Sequence, residues 1–184
     1  MNHIAVIGLG NIALRHRRNL KQLFPQATII AASASGREPI EPVEYADSFC
    51  SDINNLLSLA PELVIIASPA SSHLQHAKEF IESGIAVVIE KPLTDNFDSA
   101  QQLLDIALQY QTPIQVGYCL RYLSSAKELK KLLESNIIGD IYNCSASVGQ
   151  YLPDWRPNKH YLASVSASPH LGGGALLELS HELD

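Results

Sequence analysis

Charged side chains are scarce in this sequence, and basic ones are scarcer than acidic ones. Only 17% of the 184 residues are Asp, Glu, Lys or Arg, and 19 acids against 13 bases leave a formal charge of -6. A nucleic-acid-binding surface normally carries a clustered excess of Lys and Arg, so this balance argues against nucleic acid as a partner. Apolar runs are short as well. Residues 63–67 form one of the longest, which is the length of a strand and far below the roughly 20 residues of a membrane span.

Cysteine is also rare: Cys50, Cys119 and Cys144 lie far apart and form no Cys-x-x-Cys pair. An odd, widely spaced set argues against a disulfide framework and against a zinc site, so we expect no metal. The chain enters a predicted strand almost at its first residue, without the basic segment, apolar core and small-residue cleavage site of a secretory signal. These absences make the cytoplasm the expected compartment.

Apolar residues, in contrast, are plentiful. They make up 46% of the chain, as in soluble globular proteins. Domains usually hold about 100 to 150 residues, so the chain is long enough for one well-cored domain and part of another.

Strand-length apolar runs alternate with helical patterns through the first two thirds of the chain. Strands are predicted at residues 3–7, 27–32, 63–67, 86–90 and 114–116, and helices at 11–23, 52–59, 72–83 and 96–110. Nearly unbroken apolar strands between helices are typical of a parallel sheet covered on both faces. The predicted fold class is therefore α/β, a doubly wound parallel sheet over residues 1–120.

The pattern changes after Gly117. A helix is predicted over residues 124–135, and residues 141–148 alternate as a half-buried strand does. We expect residues 121–184 to begin a second α/β domain. That domain is incomplete, because a single strand cannot bury its apolar face alone.

A glycine-rich turn joins the first strand to the first helix. Gly8 would let the backbone leave the strand sharply, and Gly10 would leave room for a diphosphate beside the main chain. The free N–H groups of the helix start, around Asn11 and Ile12, would face that anion. The alternative is a plain strand-to-helix turn without a ligand.

The first helix carries one basic cluster, residues 15–18. His16 is expected to fill the apolar stripe of the helix, while Arg17 and Arg18 are expected on a solvated face. The alternative for these two arginines is an added attraction for phosphate.

Two further groups of residues follow strands and therefore meet at the same edge of the sheet. Glu90, Lys91 and Pro92 follow the fourth predicted strand, where ligands of open parallel sheets bind, and a lysine there can hold a substrate hydroxyl. Ser68, Pro69 and His73 follow the third strand, and they either line the same cleft or simply form the turn. For the Glu90–Lys91 pair, the alternative is an incidental ion pair.

The end of the second strand bears on the choice of coenzyme. An NAD site usually has Asp or Glu there, whereas this chain has Ser33, Ser35 and Arg37, which suit a 2′-phosphate. We therefore expect NADP in preference to NAD, with Glu38 as the residue that could reverse the preference. The alternative for Arg37 is an exposed loop residue.

Taken in order, these motifs resemble the Gfo/Idh/MocA oxidoreductases, the family of glucose-fructose oxidoreductase and inositol dehydrogenase. The resemblance rests on Gly8-Leu-Gly10, Ala67-Ser-Pro69 with His73, Glu90-Lys-Pro92, Gly117-Tyr118 with Arg121, and Gly172-Gly-Gly174 ahead of His181. It implies a Rossmann domain, followed by a second domain that binds substrate and often forms homo-oligomers.

The resemblance also implies roles for individual residues. Lys91 would bind the reacting hydroxyl of a sugar, cyclitol or nucleotide-sugar, and His181 would be its acid/base partner during hydride transfer to or from the nicotinamide. Lys91 and the adjoining backbone of Glu90 and Pro92 would also bind the coenzyme and help orient the nicotinamide. The alternative for His181 is a histidine at a helix end without a catalytic role. Residues beside the substrate would include Tyr118, Arg121, Trp155 and Arg156; for the last two, the alternative is an anchor for the incomplete sheet.

Two departures from the family pattern leave the function open. Many members have an aspartate four residues before the histidine, where this chain has Leu177; the nearest acid before the histidine is Glu178, three residues before His181. Members usually also continue for more than a hundred further residues. The sequence therefore allows an NAD(P)-dependent oxidoreductase or, alternatively, a non-catalytic NAD(P)-binding module with a sensing or scaffold role.

Overall fold

The structure is a computed structural model that describes residues 1–155 and 160–183. Its chain contacts divide it into two compact units, the first comprising residues 1–117 and the second beginning at Tyr118. Among the described residues no helix has both the length and the apolar character needed to cross a membrane.

The first unit is built on one sheet of six parallel strands. They are β1 (His3–Ile7), β2 (Thr28–Ala32), β3 (Ser48–Cys50), β4 (Leu63–Ile66), β5 (Ala86–Ile89) and β6 (Ile114–Val116), in the order β3-β2-β1-β4-β5-β6. The order reverses between β1 and β4. In open α/β sheets this switch point leaves a crevice at the carboxyl ends of the strands, where ligands bind.

Three helices of the first unit cover the sheet: α1 (Asn11–Leu23), α2 (His73–Glu82) and α3 (Phe97–Tyr110). Helix α3 is capped by the Asn96 side chain, which accepts a hydrogen bond from Ser99 N at 2.9 Å. Asp52 caps the helix that follows β3 in the same way, accepting from Asn54 N at 3.0 Å.

The core lies on both faces of the sheet, as predicted. On one face Ile7 and Ile66 pack with side chains of α2 and α3 such as Phe80 and Leu103, all fully or almost fully buried. On the other face Val6 belongs to a second cluster that includes residues of α1. Strands buried on two sides need apolar side chains at every position, which explains their unbroken apolar runs.

Two details of the first unit differ from the sequence prediction. Residues 48–50 form the edge strand β3, which the sequence analysis did not predict and which, like β6, is only three residues long. Residues 53–59 form a 3-10 helix and not the expected α-helix. Pairing with β2 decides the conformation of residues 48–50. For residues 53–59 the conformation is decided locally, with capping by Asp52.

The second unit contains helices α4 (Ser124–Glu134) and α5 (Ala175–Leu179). Short 3-10 helices lie at residues 119–122, 152–155, 161–171 and 180–183. The strand predicted over residues 141–148 is wrong: the segment carries no regular secondary structure and is exposed throughout. An alternating pattern forms a strand only against a neighbouring strand, and the described part of this unit contains none.

The turn after β1 lies very close to the end of β4. Gly8 has a φ of +126°, and a β-carbon added there would lie 2.5 Å from the carbonyl oxygen of Ala67. A glycine is therefore required at this position both by its backbone conformation and by the neighbouring chain.

We expect Gly8→Ala to lower the free energy of unfolding by at least about 2 kcal/mol, because the added methyl group collides with backbone in a conformation disfavoured for alanine. Gly10→Ala is the matched control: an added β-carbon meets no heavy atom within 4 Å and φ is -78°, so the change should stay below about 1 kcal/mol. Urea unfolding measures both variants, and losses of equal size would contradict the assignment.

Candidate functional site

The glycine turn opens directly onto the first turn of α1. Gly8 N donates to Ala32 O at 2.8 Å, which holds the turn against the end of β2. Gly10 precedes the helix in extended conformation, and the space beside its α-carbon is open. Asn11 is exposed and Ile12 is half-buried, and the first N–H groups of any helix have no partner within the helix. The turn therefore presents backbone donors toward open space.

Arg17 fixes the shape of this turn from behind. Its side chain is 2% exposed; Nη1 donates to Gly8 O at 3.1 Å and Nε donates to Glu44 O at 2.9 Å. Burial lowers the pKa of Arg17, opposed by the charge of Glu44. The prediction of a solvated face is therefore wrong for Arg17, because two backbone carbonyls require its donors, whereas Arg18 is exposed as predicted.

At the end of β5, Glu90 connects Lys91 to helix α1. Its Oε1 lies 2.7 Å from His16 Nε2, and its Oε2 accepts from Lys91 N at 3.2 Å. Burial raises the pKa of the Glu90 carboxyl, but the hydrogen bond and charge of His16, together with Lys91, outweigh it and leave that pKa below its ordinary value. Glu90 is thus an anion at neutral pH, and His16 is its hydrogen-bond donor.

The neighbouring strand end also reaches this carboxylate. Gly117 N donates to Ile89 O at 2.8 Å, and a β-carbon added at Gly117 would lie 3.4 Å from the carboxylate of Glu90. Lys91 and Pro92 are half-buried, and the peptide bond between them is cis. Lys91 therefore lies at the carboxyl edge of the sheet, in the same unit as the glycine turn.

Two histidines of α2 lie behind the loop that follows β4. His76 Nδ1 is 2.9 Å from Ser68 Oγ, and burial, followed by the neighbouring His73, lowers the pKa of His76. Ser68 and Pro69 are half-buried at the carboxyl edge.

His73 does not lie at the surface of the cleft, where the sequence suggested it. It is 1% exposed, with Nε2 at 2.9 Å from Ser68 O and Nδ1 at 3.1 Å from Pro92 O and 3.0 Å from Leu93 O. Direct contact with a cofactor is therefore not available to this ring, because backbone carbonyls surround both nitrogens.

A cavity of about 240 Å³ lies at the ends of β2 and β3. Ser33 lines it and is buried, whereas Ser35 and Arg37 are exposed and lie outside its lining. Other polar residues at its wall are Ser51, Asp52, Asn54, Gln75, His76 and Glu79. The cavity thus carries two carboxyl side chains, those of Asp52 and Glu79, which the sequence analysis did not connect with the coenzyme.

The remaining predicted residues lie in the second unit. The Arg121 guanidinium lies 5.9 Å from the ring centroid of Tyr118. Trp155 borders a cavity of about 80 Å³, and its buried Nε1 has no hydrogen-bond partner among the described residues. His181 Nε2 is 3.6 Å from Glu182 Oε1. Arg156 lies outside the described residues.

The residues that the structure describes contain no group of three or more His, Cys, Asp or Glu side chains placed to hold a metal ion. The three cysteines form no disulfide.

The residues that sequence patterns missed are polar groups on inward helix faces. His16 was assigned as a filler of the apolar stripe and Arg17 as a surface residue, yet both make polar contacts at the carboxyl edge. Their positions in the sequence could have indicated an inward orientation. Each lies three or four residues from an apolar residue of the inward face, Ala13 or Leu20.

A parallel sheet with a glycine turn at its switch point and an open helix start beside it defines a dinucleotide-binding α/β domain. Comparison with known proteins gives the family. The GFO_IDH_MocA family model, described as an oxidoreductase family with an NAD-binding Rossmann fold, matches residues 2–118. The chain belongs to this family.

Individual relatives agree with that membership. The rhizopine catabolism protein MocA of Rhizobium meliloti is 26% identical over 122 residues, covering 66% of this chain and 35% of that protein. The scyllo-inositol dehydrogenase of Lactobacillus casei, solved with NAD(H) and scyllo-inositol, has a TM-score of 0.65 and 22% identity over 76% of this chain and 43% of its own.

A second solved structure, the WlbA dehydrogenase of Bordetella pertussis with NADH and UDP-GlcNAcA, has a TM-score of 0.65 and 20% identity, covering 77% of this chain and 45% of that one. At these identities the two structures show the shared fold. The chain spans less than half the length of the curated relatives it matches.

Replacing Arg17 tests its role in shaping the turn. We expect Arg17→Met to lower the free energy of unfolding by about 2–3 kcal/mol, because the Gly8 and Glu44 carbonyls lose their donors while the volume is kept. Arg18→Met, one residue further along the same helix and exposed, should change it by less than about 0.5 kcal/mol. Thermal unfolding compares the two, and a stable Arg17→Met variant would contradict the assignment.

Proposed function

We propose that this chain binds a nicotinamide dinucleotide at the carboxyl edge of its first unit and serves an NAD(P)-dependent oxidoreductase of sugars, cyclitols or nucleotide-sugars. The observation that carries the proposal is the position of two features in one unit. A backbone turn open to an anion follows β1 at the switch point, and Lys91 follows β5, which pairs with β4 on the other side of that point.

The residues of the turn fit a diphosphate. Gly8 and Gly10 provide a bend without side chains, and the N–H groups at Asn11 and Ile12 provide donors at the positive end of α1. Ser68, Pro69 and the Glu90–Pro92 segment supply the other side of the crevice. The nicotinamide supplies a hydride acceptor or donor when it is bound.

The cavity at the end of β2 fits the ribose end of the coenzyme, since the residue after this strand contacts the 2′ position in folds of this class. Ser33 contributes a hydroxyl there. We propose NADP as the preferred coenzyme, held by Ser35 and Arg37 from the exposed turn. Asp52 and Glu79 at the cavity wall oppose a 2′-phosphate, so the preference depends on the Arg37 guanidinium.

In the proposed reaction Lys91 contacts the alcohol oxygen of the substrate and stabilises the charge that develops there. His181 would take or return the alcohol proton, with Tyr118, Arg121, Trp155 and Arg156 as further substrate contacts. Support comes from the family resemblance of these positions. The substrate class is proposed because the two related structures contain a cyclitol and a nucleotide-sugar.

We further propose residues 1–120 as the coenzyme-binding domain and residues 121–184 as part of a substrate domain through which the protein forms homo-oligomers. A cytoplasmic location, without nucleic acid or membrane as partner, is proposed from composition alone.

Coenzyme titration followed by a sugar panel tests the function. We expect NADPH or NADH to bind the wild type, and Gly10→Ala to weaken binding by at least roughly tenfold by closing the space beside the turn. Lys91→Met should still bind coenzyme, within about tenfold of the wild type because the backbone of its segment still borders the crevice, but slow turnover by about 10²- to 10⁴-fold. Nicotinamide fluorescence and absorbance are the readouts.

Two outcomes of this experiment would change the proposal. Binding without turnover on any sugar, cyclitol or nucleotide-sugar would favour the non-catalytic NAD(P)-binding module. Absence of binding would overturn the coenzyme site itself.

The coenzyme preference has its own test. Arg37→Ala should weaken NADPH binding by about tenfold and leave NADH binding unchanged, because only NADPH carries the 2′-phosphate that a guanidinium binds. Arg18→Ala, which also removes one exposed arginine, controls for the loss of general positive charge. An unchanged ratio of the two affinities would remove Arg37 from the site.

A further inference from the structure

Lys91 lies between two histidines that come from different helices and contact the chain on either side of it. On its amino-terminal side, His16 of α1 contacts Glu90 Oε1 at 2.7 Å, and Glu90 Oε2 accepts from the backbone N–H of Lys91 at 3.2 Å. The start of the lysine segment is thereby tied to the helix that follows the glycine turn.

On its carboxyl-terminal side, His73 of α2 contacts the backbone of the next two residues. Nδ1 lies 3.1 Å from Pro92 O and 3.0 Å from Leu93 O, and Nε2 lies 2.9 Å from Ser68 O. One ring therefore connects the loop after β5, which carries Lys91, with the loop after β4.

The chemistry of these contacts distinguishes His73 from a histidine that only fills the core. Carbonyl oxygens accept and never donate, so a ring nitrogen that carries a hydrogen donates it to a loop carbonyl. At 1% exposure the ring has no access to solvent, so the loop carbonyls beside it are the partners left for its N–H.

We propose that His73, together with His16 acting through Glu90, is a positioning residue that holds the backbone on both sides of Lys91 and so sets where its ammonium group lies. The inference rests on the proposed function, in which Lys91 meets the substrate alcohol. The positioning itself can be measured with no substrate present.

The two ring nitrogens can be separated by substitution. The amide nitrogen of asparagine takes a place close to Nδ1 of histidine, and that of glutamine a place close to Nε2. A neutral ring carries one N–H, which we place on Nδ1 because this nitrogen faces two carbonyls. His73→Asn therefore keeps this donor toward Pro92 and Leu93, whereas His73→Gln loses it and offers a donor toward Ser68 only. At position 16 the rule reverses, because Nε2 contacts Glu90: His16→Gln keeps the donor and His16→Asn loses it.

The readout is the acylation rate of Lys91 by acetic anhydride, measured by mass spectrometry relative to Lys130, whose side chain is 75% exposed on α4. We expect His73→Gln to raise the relative rate at Lys91 by roughly fivefold, the effect of losing about one hydrogen bond, and His73→Asn to stay within about twofold of wild type. At position 16, Asn should raise the rate and Gln should not.

A purely structural role would not produce this reversed order at the two positions. Asparagine is smaller than glutamine, so a loss of volume would make Asn the more disruptive substitution at both. Equal rates for Asn and Gln at position 73, with both variants folded by thermal unfolding, would overturn the proposal. If either variant of position 73 fails to fold, the position 16 pair decides: Asn above Gln supports the proposal, and equal rates overturn it.

Turnover by the wild type, measured beside the Lys91 acylation rates of the four variants, separates this inference from the proposed function. The expected order of Lys91 rates without any turnover by the wild type would sustain the positioning and overturn the reaction. Turnover by the wild type with equal Lys91 rates in all four variants would do the opposite.

Discussion

The structure depends on one close backbone approach at the switch point of the sheet. Gly8 turns beneath the carbonyl of Ala67, at a distance that excludes any side chain, and its own carbonyl is held by the buried guanidinium of Arg17. These contacts set the direction in which α1 leaves β1. The turn therefore fixes the positions of the backbone N–H groups that the start of α1 presents to the crevice, because a helix has a regular geometry from its first turn onward.

The carboxyl edge is held together by polar side chains and not by apolar packing alone. Strand ends and loops carry backbone groups that the sheet ladder no longer pairs, and buried groups of this kind need partners. Arg17, His16 and His73 supply donors at three places along the edge, each from a helix that packs on the sheet. Together these contacts link the loops after β1, β4 and β5 along the carboxyl edge.

The fold was largely predictable because its signals are local. Nearly unbroken apolar runs predicted five of the six strands, and the helical pattern over residues 96–110 predicted α3. Predictions were wrong where a neighbour decides the outcome. β3 forms because β2 offers an edge, whereas residues 141–148 alternate like a strand but have no strand to pair with in the described part of their unit. His73 was predicted to line the cleft, but its ring is buried behind the loops. The sequence pattern marks the start of a helix, and it is the same whether a side chain there faces the cleft or the core.

The sequence by itself determined the alternation of strands and helices, the glycine turn and the order of motifs along the edge, because period, glycine and proline act within a few residues. Only the tertiary structure decided which polar side chains are buried and what they contact. His16 and Glu90 are 74 residues apart, and no spacing rule connects them. Their hydrogen bond exists because a parallel sheet brings the carboxyl ends of its strands to one edge, where helices from distant parts of the chain pack side by side.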